Sequence, residues 1–141
     1  MNCKINRFKT LLQQSYSQLP SHEFRKFKYF PKACCVLTSH LLARFLIREL
    51  SCNNVNVVHG ERPDGFWHYW VETDGKIIDI TMRQFEEPLE DIIFGDSSWH
   101  SECTILEKWS AKWSFDDVDE GADSASKAAL EHAYQQVMAS F

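Results

Sequence analysis

Residues 67–81, WHYWVETDGKIIDIT, decide the fold. Asp74-Gly75 is a two-residue turn signal between two runs rich in β-branched and aromatic residues, and it predicts a β-hairpin of Trp67–Thr73 and Lys76–Thr81. With those two residues in the loop the register follows. Thr73 faces Lys76, Val71 faces Ile78, Trp70 faces Asp79 and His68 faces Thr81. Side chains alternate along a strand, so His68, Trp70 and Asp79 share one face, while Trp67, Tyr69, Val71, Ile78 and Ile80 share the other. Asp79 is diagonal to His68, a backbone separation of roughly 7–8 Å that a carboxylate and an imidazole bridge. An acid flanked by Ile77, Ile78 and Ile80 is costly to bury without a partner, and the register offers a histidine.

Upstream of the hairpin, residues 34–50 predict a helix. Leu37, Leu41, Leu42, Phe45, Leu46 and Leu50 recur with helical period and make a wide apolar stripe, with Arg44 and Arg48 off it. The helix starts at or just after the adjacent Cys34 and Cys35, and Ser51, Asn53 and Asn54 end it. A first helix is expected over residues 5–18, on the stripe Ile5, Phe8, Leu11, Leu12 and Tyr16. Val55, Val57 and His59 begin a strand before the hairpin. Downstream, Phe85–Phe94 reads as a loop with one helical turn, residues 102–109 as a strand and residues 116–123 as an acidic linker. A last helix, capped by Ser124 or Ser126, runs through Met138 with Ala129, Leu130, Ala133, Tyr134 and Val137 on one face. Segregated elements in this order predict an α+β fold, an antiparallel sheet packed on a central helix, as one domain spanning 1–141.

The 141 residues carry a net charge of −5, divided into +7 over residues 1–50 and −12 over the rest. No reader motif accompanies the basic segment, so a nucleic-acid partner is not expected. No apolar run approaches the roughly 20 residues that cross a membrane, and MNCKINRFKT has no continuous apolar stretch of a secretory signal, which makes a cytoplasmic setting the expectation. The five cysteines, Cys3, Cys34, Cys35, Cys52 and Cys103, are odd in number and include an adjacent pair, so they suit neither a disulfide framework nor a CxxC metal motif. A zinc site of Cys34, Cys35, His40 and His59 lacks regular ligand spacing, and His100 and Cys103 lack a companion motif. No metal and no cofactor are expected.

A carboxylate that holds an imidazole in one tautomer prepares it to take a proton from a nucleophile. A cysteine at the start of a buried helix supplies that nucleophile, because the unpaired N–H groups there favour thiolate and can stabilise an oxyanion. The order of Cys at a helix start, His on a strand and Asp on the next strand resembles the transglutaminase-like branch of the papain-like cysteine enzymes. The matching stretches are FPKACCVLTSHLLARFL (30–46), VNVVHGE (55–61) and HYWVETDGKIIDIT (68–81), with Gln84-Phe85 following. The resemblance implies Cys35 as nucleophile, His68 as base and Asp79 as orienting acid. It favours Cys35 by a small residue four positions on, Ser39, and an apolar one seven on, Leu42. Thr38 and Leu41 fit Cys34 nearly as well, so Cys34 stands as the alternative nucleophile. The chain departs from the pattern in having Ala33 before the pair, where Gly is usual, and Val36-Leu37 after it.

The implied activity is acyl transfer on a peptide or amide bond through a thioester, as a protease, deamidase or transamidase, with a protein or peptide as substrate. Trp70 and Gln84 are candidate substrate-binding residues. The alternative is a non-catalytic protein-binding module of the same fold, which a Cys35–His68 separation well beyond hydrogen-bond reach would favour.

Overall fold

A computed structural model describes residues 2–15, 30, 34–85, 89–117 and 127–141. Its elements in chain order are α1 (Asn2–Gln14), α2 (Cys35–Leu50), β1 (Val55–Glu61), β2 (Trp67–Thr73), β3 (Lys76–Asp79), β4 (Ile92–Gly95), α3 (Ser98–Ser101), β5 (Thr104–Ser110) and α4 (Lys127–Met138). Short 3-10 turns occupy Met82–Gln84 and Phe115–Asp117. The five strands form one antiparallel sheet in the order β4-β3-β2-β1-β5. The fold is α+β.

The hairpin adopts the expected register, with Val71 opposite Ile78, Glu72 opposite Ile77 and Thr73 opposite Lys76. Asp74 and Gly75 both have positive φ, 49° and 77°, as a type I′ turn requires, and Asn54 donates to the Asp74 carboxylate at 2.9 Å. The ladder ends sooner than the sequence predicts. β3 stops at Asp79, because Asp79 Oδ1 accepts from both the N–H and the hydroxyl of Thr81 and turns the chain out of the sheet.

The helix expected over 34–50 is α2, closed at Ser51 in the left-handed region (φ 53°) with its N–H on the Leu46 carbonyl. It lies on the sheet face that carries Val55, Val57, Val71 and Ile78, and α1 and α4 pack against the same core through Ile5, Phe8, Leu130 and Val137. Wrapped in this way, α2 is buried around its whole circumference from Leu37 to Leu46. Arg44, read from the sequence as off the apolar stripe, is therefore interior too, its guanidinium 4.6 Å from the Phe115 ring centroid. Arg48 reaches the Trp113 carbonyl and Glu131 on α4, tying the two helices together. α1 begins three residues earlier than expected, and residues 16–18 of the predicted helix lie outside the described residues, as do the predicted caps Ser124 and Ser126 and most of the acidic linker.

The segment 85–94 corrects the sequence reading. Ile92–Gly95 is a strand, paired with β3 through Ile78 opposite Ile93 and Asp79 opposite Ile92. Four residues after an acidic, Pro-containing stretch are too few to show alternation, and only the neighbouring β3 makes them a strand. α3 was likewise unpredicted. Its cap is Ser97, whose hydroxyl accepts from the His100 N–H.

The opposite sheet face has its own smaller core of Val58, Trp70 and Ile77. Gly60 on β1 makes room for it: a Cβ there would lie 2.4 Å from the tip of the Trp70 ring. Trp70 is enclosed and cannot yield, so Gly60→Ala is expected to destabilise by about 1–3 kcal/mol, the usual cost of overpacking. The urea midpoint measures this, and an unchanged midpoint would show that the ring moves freely.

Candidate functional site

His68, Trp70 and Asp79 project from the face opposite α2, as strand alternation requires. All three are buried, His68 at 0% and Asp79 at 2% exposure. His68 Nε2 donates to Asp79 Oδ2 at 2.6 Å. The diagonal pairing therefore forms, and the carboxylate flanked by isoleucines has its partner.

The carboxylate carries more than one imidazole. His100, from α3, donates from its Nε2 to the same Oδ2 at 2.7 Å. Thr81 fills Oδ1 with two bonds of 3.0 Å. Four donors on one carboxylate hold Asp79 well below the usual carboxylate range. Burial opposes this, and the charge of His68 with the hydrogen bonds of both rings outweighs it. His68 is displaced in the complementary direction. Burial disfavours its charge, but the Asp79 charge and hydrogen bond, with a further contribution from Cys35, push it up to about 9.

Cys35 is the first residue of α2 and half-buried, and it contributes to the raised basicity of His68. Because β3 stops at Asp79, no β3 residue pairs with His68 in the ladder. With Nε2 committed to Asp79, Nδ1 is the remaining ring nitrogen, and the Gln84 amide nitrogen lies 3.0 Å from it. The Thr38 N–H donates to the Cys34 carbonyl at 2.9 Å, so the amides of the first turn come before the first such bond and point out of the helix end. Cys34 is the N-cap residue, buried in the main core.

The structure thus brings His68, Asp79 and Gln84 together, with Cys35 contributing to the basicity of the His68 ring. Trp70 stands in the wall, its ring centroid 6.0 Å from that of His68 and 4.8 Å from that of His100, and its indole N–H donates to Glu72 at 3.2 Å. It is enclosed rather than half-exposed, so it shapes the site from behind. Phe85 and Trp99 complete the surround at 5.1 and 5.4 Å from the His68 ring. A cavity of about 440 Å³ lined by Arg62, Asp64, Phe66, Gln84, Phe85 and Trp99 opens beside them. The meeting of His68 and Asp79 was legible from the sequence. His100 was not, since only the β3–β4 pairing and the Ser97 cap bring it to Asp79.

His68, Asp79 and His100 also offer one ligand atom each within 4.8 Å of one another, and they are the one such group among the described residues. The separations of 2.6 and 2.7 Å are those of hydrogen bonds. Ligands about 2.0–2.2 Å from a tetrahedral ion stand roughly 3.3 Å apart, so an ion would have to spread the trio, and its fourth ligand is not evident. The set Cys34, Cys35, His40 and His59 does not converge. His59 stacks on Tyr69 at 4.2 Å, and His40 faces Trp109 at 6.4 Å with its basicity lowered to about 4, chiefly by burial and then by Arg44.

No helix among the described residues is long and apolar enough to cross a membrane. No family model, curated protein or solved structure matches the chain.

Proposed function

We propose that the protein is a cysteine-dependent acyl-transfer enzyme, with Cys35 as nucleophile, His68 as general base and acid, and Asp79 as the orienting acid. One observation supports the reading: Cys35 opens α2 and raises the basicity of His68, an imidazole whose Nε2 is fixed on a buried carboxylate. The transglutaminase-like resemblance agrees with this assignment of roles.

With its basicity raised to about 9, His68 already holds the thiol proton on Nδ1 when sulfur attacks a peptide or side-chain amide carbonyl. The carbonyl π electrons move to oxygen, and the first-turn amides of α2, which precede the first intrahelical bond, are donors for that oxyanion. Collapse breaks the C–N bond, and His68 returns its proton to the departing amine. The product is a thioester on Cys35. Water or an amine then attacks with His68 again as base and releases the thiol. Throughout, Asp79 holds the ring with Nε2 as donor, so Nδ1 is always the nitrogen that exchanges protons. The aromatic cavity beside Gln84 is the approach for a protein or peptide substrate. Unlinked cysteines fit a reducing, cytoplasmic setting.

Between the two adjacent cysteines, exposure and the influence on His68 favour Cys35. The expected result with native protein and limiting iodoacetamide near neutral pH is that the fastest-modified cysteine, mapped by mass spectrometry, is residue 35 rather than the exposed Cys3, and that this fast phase is lost in Cys35→Ala while the fold survives. Loss in Cys34→Ala instead would move the nucleophile. Modification only after denaturation would leave a binding module in place of an enzyme.

A further inference from the structure

We infer that His100 is a positioning residue of this site. By sharing Asp79 Oδ2 with His68, it limits how tightly the carboxylate holds the His68 proton, so that the ring can pass a proton to the departing amine. The inference rests on the thiol-enzyme reading for its purpose, but the coupling between the two rings stands on geometry of its own.

A buried histidine against a carboxylate is ordinarily there to satisfy it, and three features go beyond that. First, both rings use the same oxygen, at 2.6 and 2.7 Å, so each donor draws on electron density the other also uses. Second, the proton on His100 is fixed by its surroundings. The Ser97 hydroxyl accepts from the His100 N–H at 3.2 Å, which directs its own hydrogen to Nδ1 at 2.6 Å and puts the ring proton on Nε2, facing Asp79. Third, the assembly has no slack. Trp70 and Trp99 pack on His100 at 4.8 and 4.9 Å, and Thr81 pins Oδ1. Removing His100 therefore leaves Asp79 in place with all of Oδ2 on His68, and the sign of the effect follows: His68 holds its proton more tightly. The titratable groups facing His68 are Cys35 from α2, Asp79 from β3 and, through Asp79, His100 from α3. Arg62, stacked over Trp99, is paired with Glu102 at 3.1 Å.

The test is the titration of the His68 ring by NMR, assigned by the resonance that His68→Gln removes. His100→Ala is expected to raise its midpoint by about half to one pH unit, the scale of losing one hydrogen bond to a charged group. His100→Gln, which restores an N–H donor, should return the midpoint toward that of the native protein. Ser97→Ala, which frees the His100 ring to turn, should give a smaller rise. The last two variants carry the test if His100→Ala fails to fold. An unmoved or lowered midpoint in His100→Ala or Ser97→Ala overturns the inference, even with altered stability, and so does stoichiometric binding of Co²⁺ that each of His68→Gln, Asp79→Asn and His100→Gln abolishes. If the midpoint rises but native Cys35 is not alkylated, the coupling stands and the thiol reading falls.

Discussion

Asp79→Ala is expected to remove about 3–5 kcal/mol of stability and all of the Cys35-directed chemistry. The reason lies in what the carboxylate closes. It accepts from His68, His100 and the N–H and hydroxyl of Thr81, in a place where Asp79 itself is 2% exposed. Taking one partner from a buried ionic group leaves the others unpaired, and that loss is far larger than the net worth of the intact pair. Asp79→Asn separates the two effects. The amide preserves shape and an acceptor oxygen, so most of the stability should remain. Its NH₂ confronts an imidazole N–H instead of accepting from it, so His68 loses its preferred tautomer and the alkylation rate at Cys35 should fall by orders of magnitude. Urea unfolding reads the first effect and iodoacetamide kinetics the second. An Asn variant with full reactivity would show that Asp79 only fills a hole.

The second large effect is with pH. His68 moves from an ordinary value of 6.5 to about 9, against the burial that opposes its charge. A folded-state value above the unfolded one means that the stabilisation is fully present below pH 6.5 and is lost as pH rises through about 9. Its size is about 3 kcal/mol. Asp79, held low, is the same interaction seen from the other side and is counted once. Its contribution is present above pH 3.8 and lost as pH falls below that. Cys52 and Cys103, both pushed up mainly by burial, also favour unfolding at alkaline pH, so the difference between the native protein and His68→Gln isolates the ring. Between pH 6 and pH 10 the urea midpoint of the native protein should fall clearly more than that of His68→Gln. Parallel curves would mean that His68 does not hold an extra proton in the folded state.

How far these residues could be read in advance depended on whether a local rule governed them. The hairpin was legible because a two-residue turn fixes its register, and the register fixes which side chains meet. His68 and Asp79 followed from counting. α2 was legible by its period, but the burial of Arg44 was not, because that depends on how many elements surround the helix. β4 was invisible at four residues, and with it went α3 and His100. Nothing within 21 residues of chain separation ties His100 to Asp79. The tie is made by β4 lying against β3 and by Ser97 turning the chain back. The expectation of Ile80 and Thr81 as strand residues failed for a reason that belongs to the site. Thr81 leaves the ladder to bind the carboxylate that holds His68.

The most direct test of the thiol site is acylation itself. Native protein treated with p-nitrophenyl acetate at neutral pH should release p-nitrophenolate and gain one acetyl group as a thioester on Cys35, mapped by mass spectrometry and absent in Cys35→Ala and His68→Gln. Acetylation confined to lysines or to the other cysteines, or unchanged in both variants, would contradict it.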